Sequence, residues 1–424
     1  MFCPINLKDI QNIKKQTSEP FYYYDGDMIK MISENFMSSF SKYFRGFRNF
    51  YKVRDLNNKS IIDILFYAHI DFDVTSPKEL DIIKNMGILP QHMMFTSNFT
   101  SKKDIEYVYN NQVNINLDSI SELEIFNESR IKFDNKLIMH DNIICFNFNP
   151  EIKVNNNNNV INKFGMSAEE IIKAYKKALY MGYNTFGIKC INEYGINYYD
   201  NNYYDILFKK VFHIINELKK NNIIIEFINL GEIFDITDET PQNLRKLFDK
   251  YIEIYEIDDE PHIYTECTSH ITKKYCWLIT ECNSVKKIKQ IEDINKAEKT
   301  EIIYGLNANM TNLFQKNNDK VNISVFGKKT DNKIIATIVG NTYNYNDFYS
   351  NNINISEINV GDIVILNNLG INMNYPEYPQ YLKYNKHIRD ISKNKIYDIY
   401  SEYLVWIIII ILYVIGILIF SKFV

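Results

Sequence analysis

The feature that most restricts what this chain can become is a regular change of hydrophobic period along its first 260 or so residues. Short apolar runs at Ile61 to Phe66, Met93 to Phe95, Val113 to Asn116, Ile143 to Phe148, Thr185 to Ile188 and Ile223 to Ile228 alternate with helical stretches. Two of the latter are Ser167 to Tyr180, in which a serine caps A-E-E-I-I-K-A-Y-K-K-A-L-Y, and Tyr204 to Lys219. Strands separated by helices must run parallel, because a parallel pair needs a crossover long enough to hold a helix. A stretch of about 220 residues built this way suits a (β/α)8 barrel. From about Tyr275 to Leu382 the helical period fades. Runs such as Val321 to Phe326, Ile334 to Val339 and Asp362 to Leu366 predict antiparallel strands. The expected class is α/β, a TIM-like barrel followed by an all-β domain.

A second feature lies at the carboxyl end. Residues 404–420 read LVWIIIIILYVIGILIF, 17 residues without a charge, about 25 Å long as a helix at about 1.5 Å per residue. With Tyr403 and Ser421 added, it just crosses a thin bilayer of about 27 Å. Lys383, Lys386, Arg389, Lys393 and Lys395 precede it. Positive residues stay on the cytosolic side, so the expectation is a single-pass membrane protein with a cytosolic amino-terminal part.

Composition excludes several function classes. With 48 Lys and Arg against 52 Asp and Glu, the net charge of -4 argues against a nucleic-acid binder. Only 14 residues of 424 are glycine, which leaves little material for phosphate-cradling loops. The six cysteines contain no C-x-x-C and match neither a disulfide framework nor a zinc site, and no metal is expected.

Particular motifs then carry a resemblance. Residues 51–76, YKVRDLNNKSIIDILFYAHIDFDVTS, resemble the stretch beginning Y-A-V-K-A-N and ending F-D-V-x-S in the pyridoxal-phosphate decarboxylases of the ornithine, diaminopimelate and arginine class. In the same order follow Met86-Gly87-Ile88-Leu89-Pro90, D-S-I-S-E-L from Asp118, Lys163-Phe164-Gly165, Glu260-Pro261 and Gly361-Asp362. The resemblance implies three segments: residues 1–30, with a strand near Phe21 to Tyr24 joining the β-domain; a barrel at 31–265; and the β-domain, a sandwich or barrel, at 266–382. The carboxyl-terminal pattern adds a basic linker at 383–402 and the anchor at 403–421. The resemblance also implies a head-to-tail homodimer.

At the positions that carry the family's chemistry the resemblance breaks down. The Schiff-base lysine falls on Arg54, whose guanidinium is never a free amine. The ring-stacking histidine falls on Gly187, the glycine-rich phosphate loop on Gly231-Glu232-Ile233, the arginine of E-P-G-R on Ile263, a cysteine on Tyr343 and a tyrosine on Asn372. Remnant positions are Asp73, Gly231 and Glu260 for the cofactor, with Glu260 facing the pyridine nitrogen and able to pair with Arg54, and Asp347 for a substrate amine. Lys52, two residues before Arg54 and on the same strand face, is the alternative Schiff-base lysine. The expectation is a decarboxylase-like pseudoenzyme without a cofactor, held on a membrane and acting through an unknown protein partner. It would serve as a regulator of polyamine metabolism or as a component of a viral or organellar membrane. The alternative is an active pyridoxal-phosphate decarboxylase that uses Lys52.

Overall fold

The computed structural model describes residues 3–133, 143–152, 163–191, 202–233, 236–290, 299–309, 321–328, 333–367 and 378–392. The segment 403–421, Lys393, Lys395, the asparagine run 155–159 and Asn372 lie outside these residues. Among the described residues no helix is long and apolar enough to cross a membrane.

Helix α1 (Leu7–Lys14), strand β1 (Phe21–Asp25) and helix α2 (Gly26–Ser41) precede the barrel. Its eight parallel strands are β2 (Arg48–Lys52), β3 (Asp71–Val74), β4 (Met93–Thr96), β5 (Asn114–Leu117), β6 (Ile144–Phe148), β7 (Phe186–Cys190), β8 (Ile225–Asn229) and β9 (His262–Thr265), and β9 closes on β2. Between them run α3 (Lys59–Tyr67), α4 (Pro77–Asn85), α5 (Lys102–Asn110), α6 (Ile120–Phe133), α7 (Ala168–Tyr180), α8 (Asn202–Lys219) and α9 (Thr240–Ile254), and α10 (Thr268–Thr272) follows β9.

Local chemistry explains where the helices start. Ser76, Ser101 and Ser167 each accept a backbone N–H two or three residues into the helix, and Ser167 with Glu170 forms a full capping box. The run Ile61 to Phe66 corrects the strand expected there, because it is the buried face of α3. Asn58 caps that helix by accepting the Ser60 N–H, and a short apolar run by itself obeys either period. The strands on either side of it are β2 and β3.

The second unit is a nine-stranded sheet assembled from β10 (Cys276–Gln290), β11 (Lys299–Leu306), β12 (Asn322–Val325), β13 (Lys333–Val339), β14 (Phe348–Ser356), β15 (Ile363–Asn367), β16 (Gln380–Tyr384), β17 (His387–Asp390) and β1. Strand β10 belongs to two halves. Cys276 to Ile279 pair with β1 and Trp277 to Glu281 with β15; beyond an irregularity at Cys282 the strand pairs with β11. A bulge of this kind bends a strand and lets one sheet curl. Strand β1 lies between β10 and β16, so the chain's first strand stitches the sheet to the barrel that follows it. Asn58, at the start of α3, donates to Gln380 and to the Ile391 carbonyl and reinforces the same seam.

Candidate active site

Inside the barrel, alternate residues of each strand point inward and form layers. The middle layer is apolar: Phe50, Met94, Cys145, Phe227 and Tyr264 pack together. One step toward the carboxyl ends of the strands the layer is polar, with one residue from each strand or its immediate end: Lys52, Asp73, Thr96, Asn116, Asn147, Lys189, Asn229 and Glu266.

Most of these groups are tied to one another. Lys189 Nζ lies 2.6 Å from Glu266 Oε1 and 3.9 Å from Asp73 Oδ1, and it donates to Thr96 Oγ1 at 3.0 Å. The Thr96 hydroxyl donates to Asp73, Asn116 donates to Thr96 and Asn229 donates to Glu266. Arg54 Nη1 donates to Asp73 Oδ2 at 2.8 Å, and Lys52 Nζ donates to Glu232 Oε2 at 2.8 Å. Three cations face three carboxylates. Burial by itself would lower the Lys52 ammonium, but Glu232 and Glu266 beside it hold it above the ordinary lysine range. Burial likewise opposes the Asp73 and Glu232 carboxylates, and their cationic neighbours more than offset it, leaving both below the usual range. The Asn116 and Asn147 side-chain carbonyls are the buried acceptors of this layer that have no protein partner.

The backbone around the Gly231-Glu232-Ile233 turn is also engaged. Gly231 N–H donates to Asn229 Oδ1, Ile233 N–H to the Cys267 sulfur and Ser269 N–H to Glu232 Oε1 at 3.0 Å. Gly231 itself sits at φ +69, a left-handed conformation that favours glycine. The Glu232 carboxylate is therefore surrounded as a bound anion would be, by an ammonium and an amide.

The structure places the expected site residues unevenly. Arg54, Asp73, Lys52 and Gly231 meet at the barrel mouth. Glu260 does not: it stands before β9, exposed at the opposite end, paired with Arg245 at 2.5 Å and not with Arg54. The acid at the mouth on this strand is Glu266, six residues later, because the inward residue at that end comes after β9 and not before it. Ile263 lies within β9 opposite Ile228 and is a core residue. Gly187 sits one layer too deep. A Cβ there would meet the Phe227 ring at 2.1 Å, and the side chain at the mouth on this strand is Lys189. Asp347 is shut inside its own turn, 3% exposed, accepting the Thr342 N–H at 2.9 Å and the Thr342 hydroxyl. Tyr343 stands fully in solvent at the tip of that turn.

Lys189 and Glu266 were missed in the sequence, though a signal existed. A lysine in the otherwise apolar F-G-I-K-C, and an acid directly after the apolar end of H-I-Y-T, are both out of place in a barrel interior. The D-S-I-S-E-L and K-F-G motifs prove to be scaffolding at the mouth. Glu122 accepts the Asp118 N–H, Asp118 accepts the Gly165 N–H and the Asn147 amide, and Gly165 at φ +74 leaves no room for a Cβ beside the Asn149 nitrogen.

Residues 30–272 match the family described as the pyridoxal-dependent decarboxylases, over its pyridoxal binding domain. A diaminopimelate decarboxylase of Archaeoglobus fulgidus is 25% identical over 291 residues, 66% of this chain and 67% of that protein. Protein TabA of Pseudomonas amygdali pv. tabaci is 26% identical over 219 residues, about half of each chain (50% and 48%). Among solved structures, the diaminopimelate decarboxylase of M. jannaschii in complex with L-lysine superposes with a TM-score of 0.75 at 21% identity, over 91% of each chain. The arginine decarboxylase of Paramecium bursaria Chlorella virus superposes with a TM-score of 0.68 at 17% identity, over 88% of this chain and 99% of that one. By its barrel and by the sequence that builds it, the chain belongs to the pyridoxal-dependent decarboxylase family.

Proposed function

We propose that this chain is a noncatalytic member of its family, a decarboxylase-like protein whose cofactor seat is filled by its own side chains and which acts by binding. The observation that carries this reading is the state of the two basic residues at the end of β2. Arg54 cannot supply a free amine, and Lys52 is locked to Glu232 in a buried ion pair. The residues present do not fit a lysine-bound pyridoxal phosphate. Glu232 brings a carboxylate to the phosphate turn, three N–H groups there already have acceptors, and Phe227 fills the space above Gly187. Lys189, the remaining amine of the layer, is neutralised by Glu266.

A working decarboxylase is the second reading, favoured by the similarity to proteins named diaminopimelate decarboxylase. It requires Lys52 or Lys189 to leave its carboxylate and act as a neutral amine. The two readings separate when purified full-length protein is mixed with pyridoxal phosphate. The noncatalytic reading expects no new absorption near the visible edge and no CO₂ from diaminopimelate, ornithine, arginine or lysine. Cofactor-dependent absorption abolished by Lys52→Ala or Lys189→Ala would establish the enzyme instead. The proposal also includes tethering to a membrane through residues 403–421, with the folded part on the cytosolic side, supported by the uncharged run and its basic flank.

A further inference from the structure

The opposite end of the barrel holds a cleft of about 560 Å³, and the apolar layer of Phe50, Met94, Cys145, Phe227 and Tyr264 separates it from the mouth just described. We propose that this cleft is a binding site for a small monocarboxylate with an apolar or aromatic body.

Its basic groups are held from behind. Asp71, the first residue of β3, uses both carboxylate oxygens: Oδ2 accepts from Arg48 Nε at 2.6 Å and Oδ1 contacts His92 Nδ1 at 2.7 Å. Arg48 also donates Nη2 to the Gln91 carbonyl at 2.7 Å, and its guanidinium lies 5.0 Å from the Phe50 ring centre and 5.6 Å from that of Tyr264. The His92 ring stands edge-on to Phe66 at 5.4 Å. Arg48 and His92 line the cleft in fixed orientations, so a ligand would not have to freeze them on binding.

The other wall is apolar. Phe66, Tyr67 and Ile70 come from the end of α3 and the turn after it, and Tyr67 is 75% exposed. An aromatic ring left this open beside an oriented arginine suits a ligand that is charged at one end and apolar at the other. Charge selects the class of anion. Arg48 is already balanced by Asp71, so a carboxylate with one charge fits beside that acid, whereas a phosphate dianion brings twice the negative charge against it.

Benzoate is the probe, titrated into the purified full-length protein by calorimetry, with benzamide as its neutral isostere and inorganic phosphate as the dianion. Saturable benzoate binding in the millimolar range is expected, with at least tenfold weaker binding of the other two. Arg48→Met should weaken benzoate at least tenfold. Because Arg48 also braces the barrel, Tyr67→Ala and His92→Gln are measured beside it. Tyr67 is exposed, so its loss leaves the fold intact, and each of these should weaken benzoate at least threefold. No saturable binding, equal binding of benzamide, preference for phosphate, or benzoate binding unchanged in both Tyr67→Ala and His92→Gln would each overturn the proposal. The outcome is independent of whether the barrel mouth is catalytic.

Discussion

Lys52 and Glu232 illustrate how a single pair can decide the character of a site. Each is buried, and each would be strongly disfavoured alone, so the pair behaves as one structural unit. Glu232→Ala should cost about 3–5 kcal/mol in urea unfolding, because it strands an ammonium in the barrel. The double variant Lys52→Met with Glu232→Leu should recover most of that loss, since replacing a buried pair by apolar groups of similar size is often neutral or better. A double variant no more stable than Glu232→Ala would mean that the pair is not the unit described. Asp55, at the turn after β2, provides the pH signature. Burial pushes its carboxyl up to about 7, Glu232 and Asp73 add to the rise, and Arg54 and Lys52 oppose it. The folded protein therefore holds this proton after the unfolded chain has released it, so stability falls as pH rises from about 4 to about 7. Asp55→Asn should flatten that part of the profile and raise the melting temperature at pH 8 relative to the parent, a comparison made by thermal melts at pH 5 and pH 8.

At the scale of elements, β7 shows why a strand keeps a glycine in a packed interior. The Phe227 ring of β8 lies over Gly187 and stacks on Tyr264 of β9, with ring centres 4.3 Å apart at 19°. Gly187→Ala should destabilise the barrel by about 1–3 kcal/mol through overpacking, and Phe227→Leu in the same chain should relieve part of that cost. Chemical denaturation of the two variants tests it; additive losses would show that the residues do not meet. The strand expectations fared according to their flanks. Met93 to Phe95, Val113 to Asn116 and Ile143 to Phe148 became β4, β5 and β6, whereas Ile61 to Phe66 became helix, since Asn58 offered a cap that an apolar run alone does not reveal.

For the whole molecule, the anchor and the assembly give separable expectations. Deleting residues 403–424 should move the protein from the membrane pellet to the supernatant, because it removes the uncharged run that would insert. A full-length protein that already fractionates without membranes would refute the tether. Light scattering of the truncated chain should give twice the mass of one copy if the homodimer implied by the family resemblance persists, and a single-copy mass would exclude it.

The sequence by itself determined parallel strands joined by helices, because the alternation of strand and helix periods is a local property, and the closure of those strands into a barrel came from the length of the stretch and the family resemblance. It also determined that position 54 carries a guanidinium and not an amine, since chemistry at one position is read directly. Only the tertiary structure decided which side chains share the mouth. Glu260 and Glu266 both flank the short strand β9, and nothing local says which end faces the site. Lys189 and Gly187 share one face of β7, and depth along the barrel is set by the register of β6 and β8 on either side. Lys52 and Glu232 lie 180 residues apart in sequence and meet only because the barrel closes. A carboxylate can stand in for a bound anion only where the closing fold brings it an ammonium and an amide, and such a meeting of distant residues leaves no mark in any local pattern.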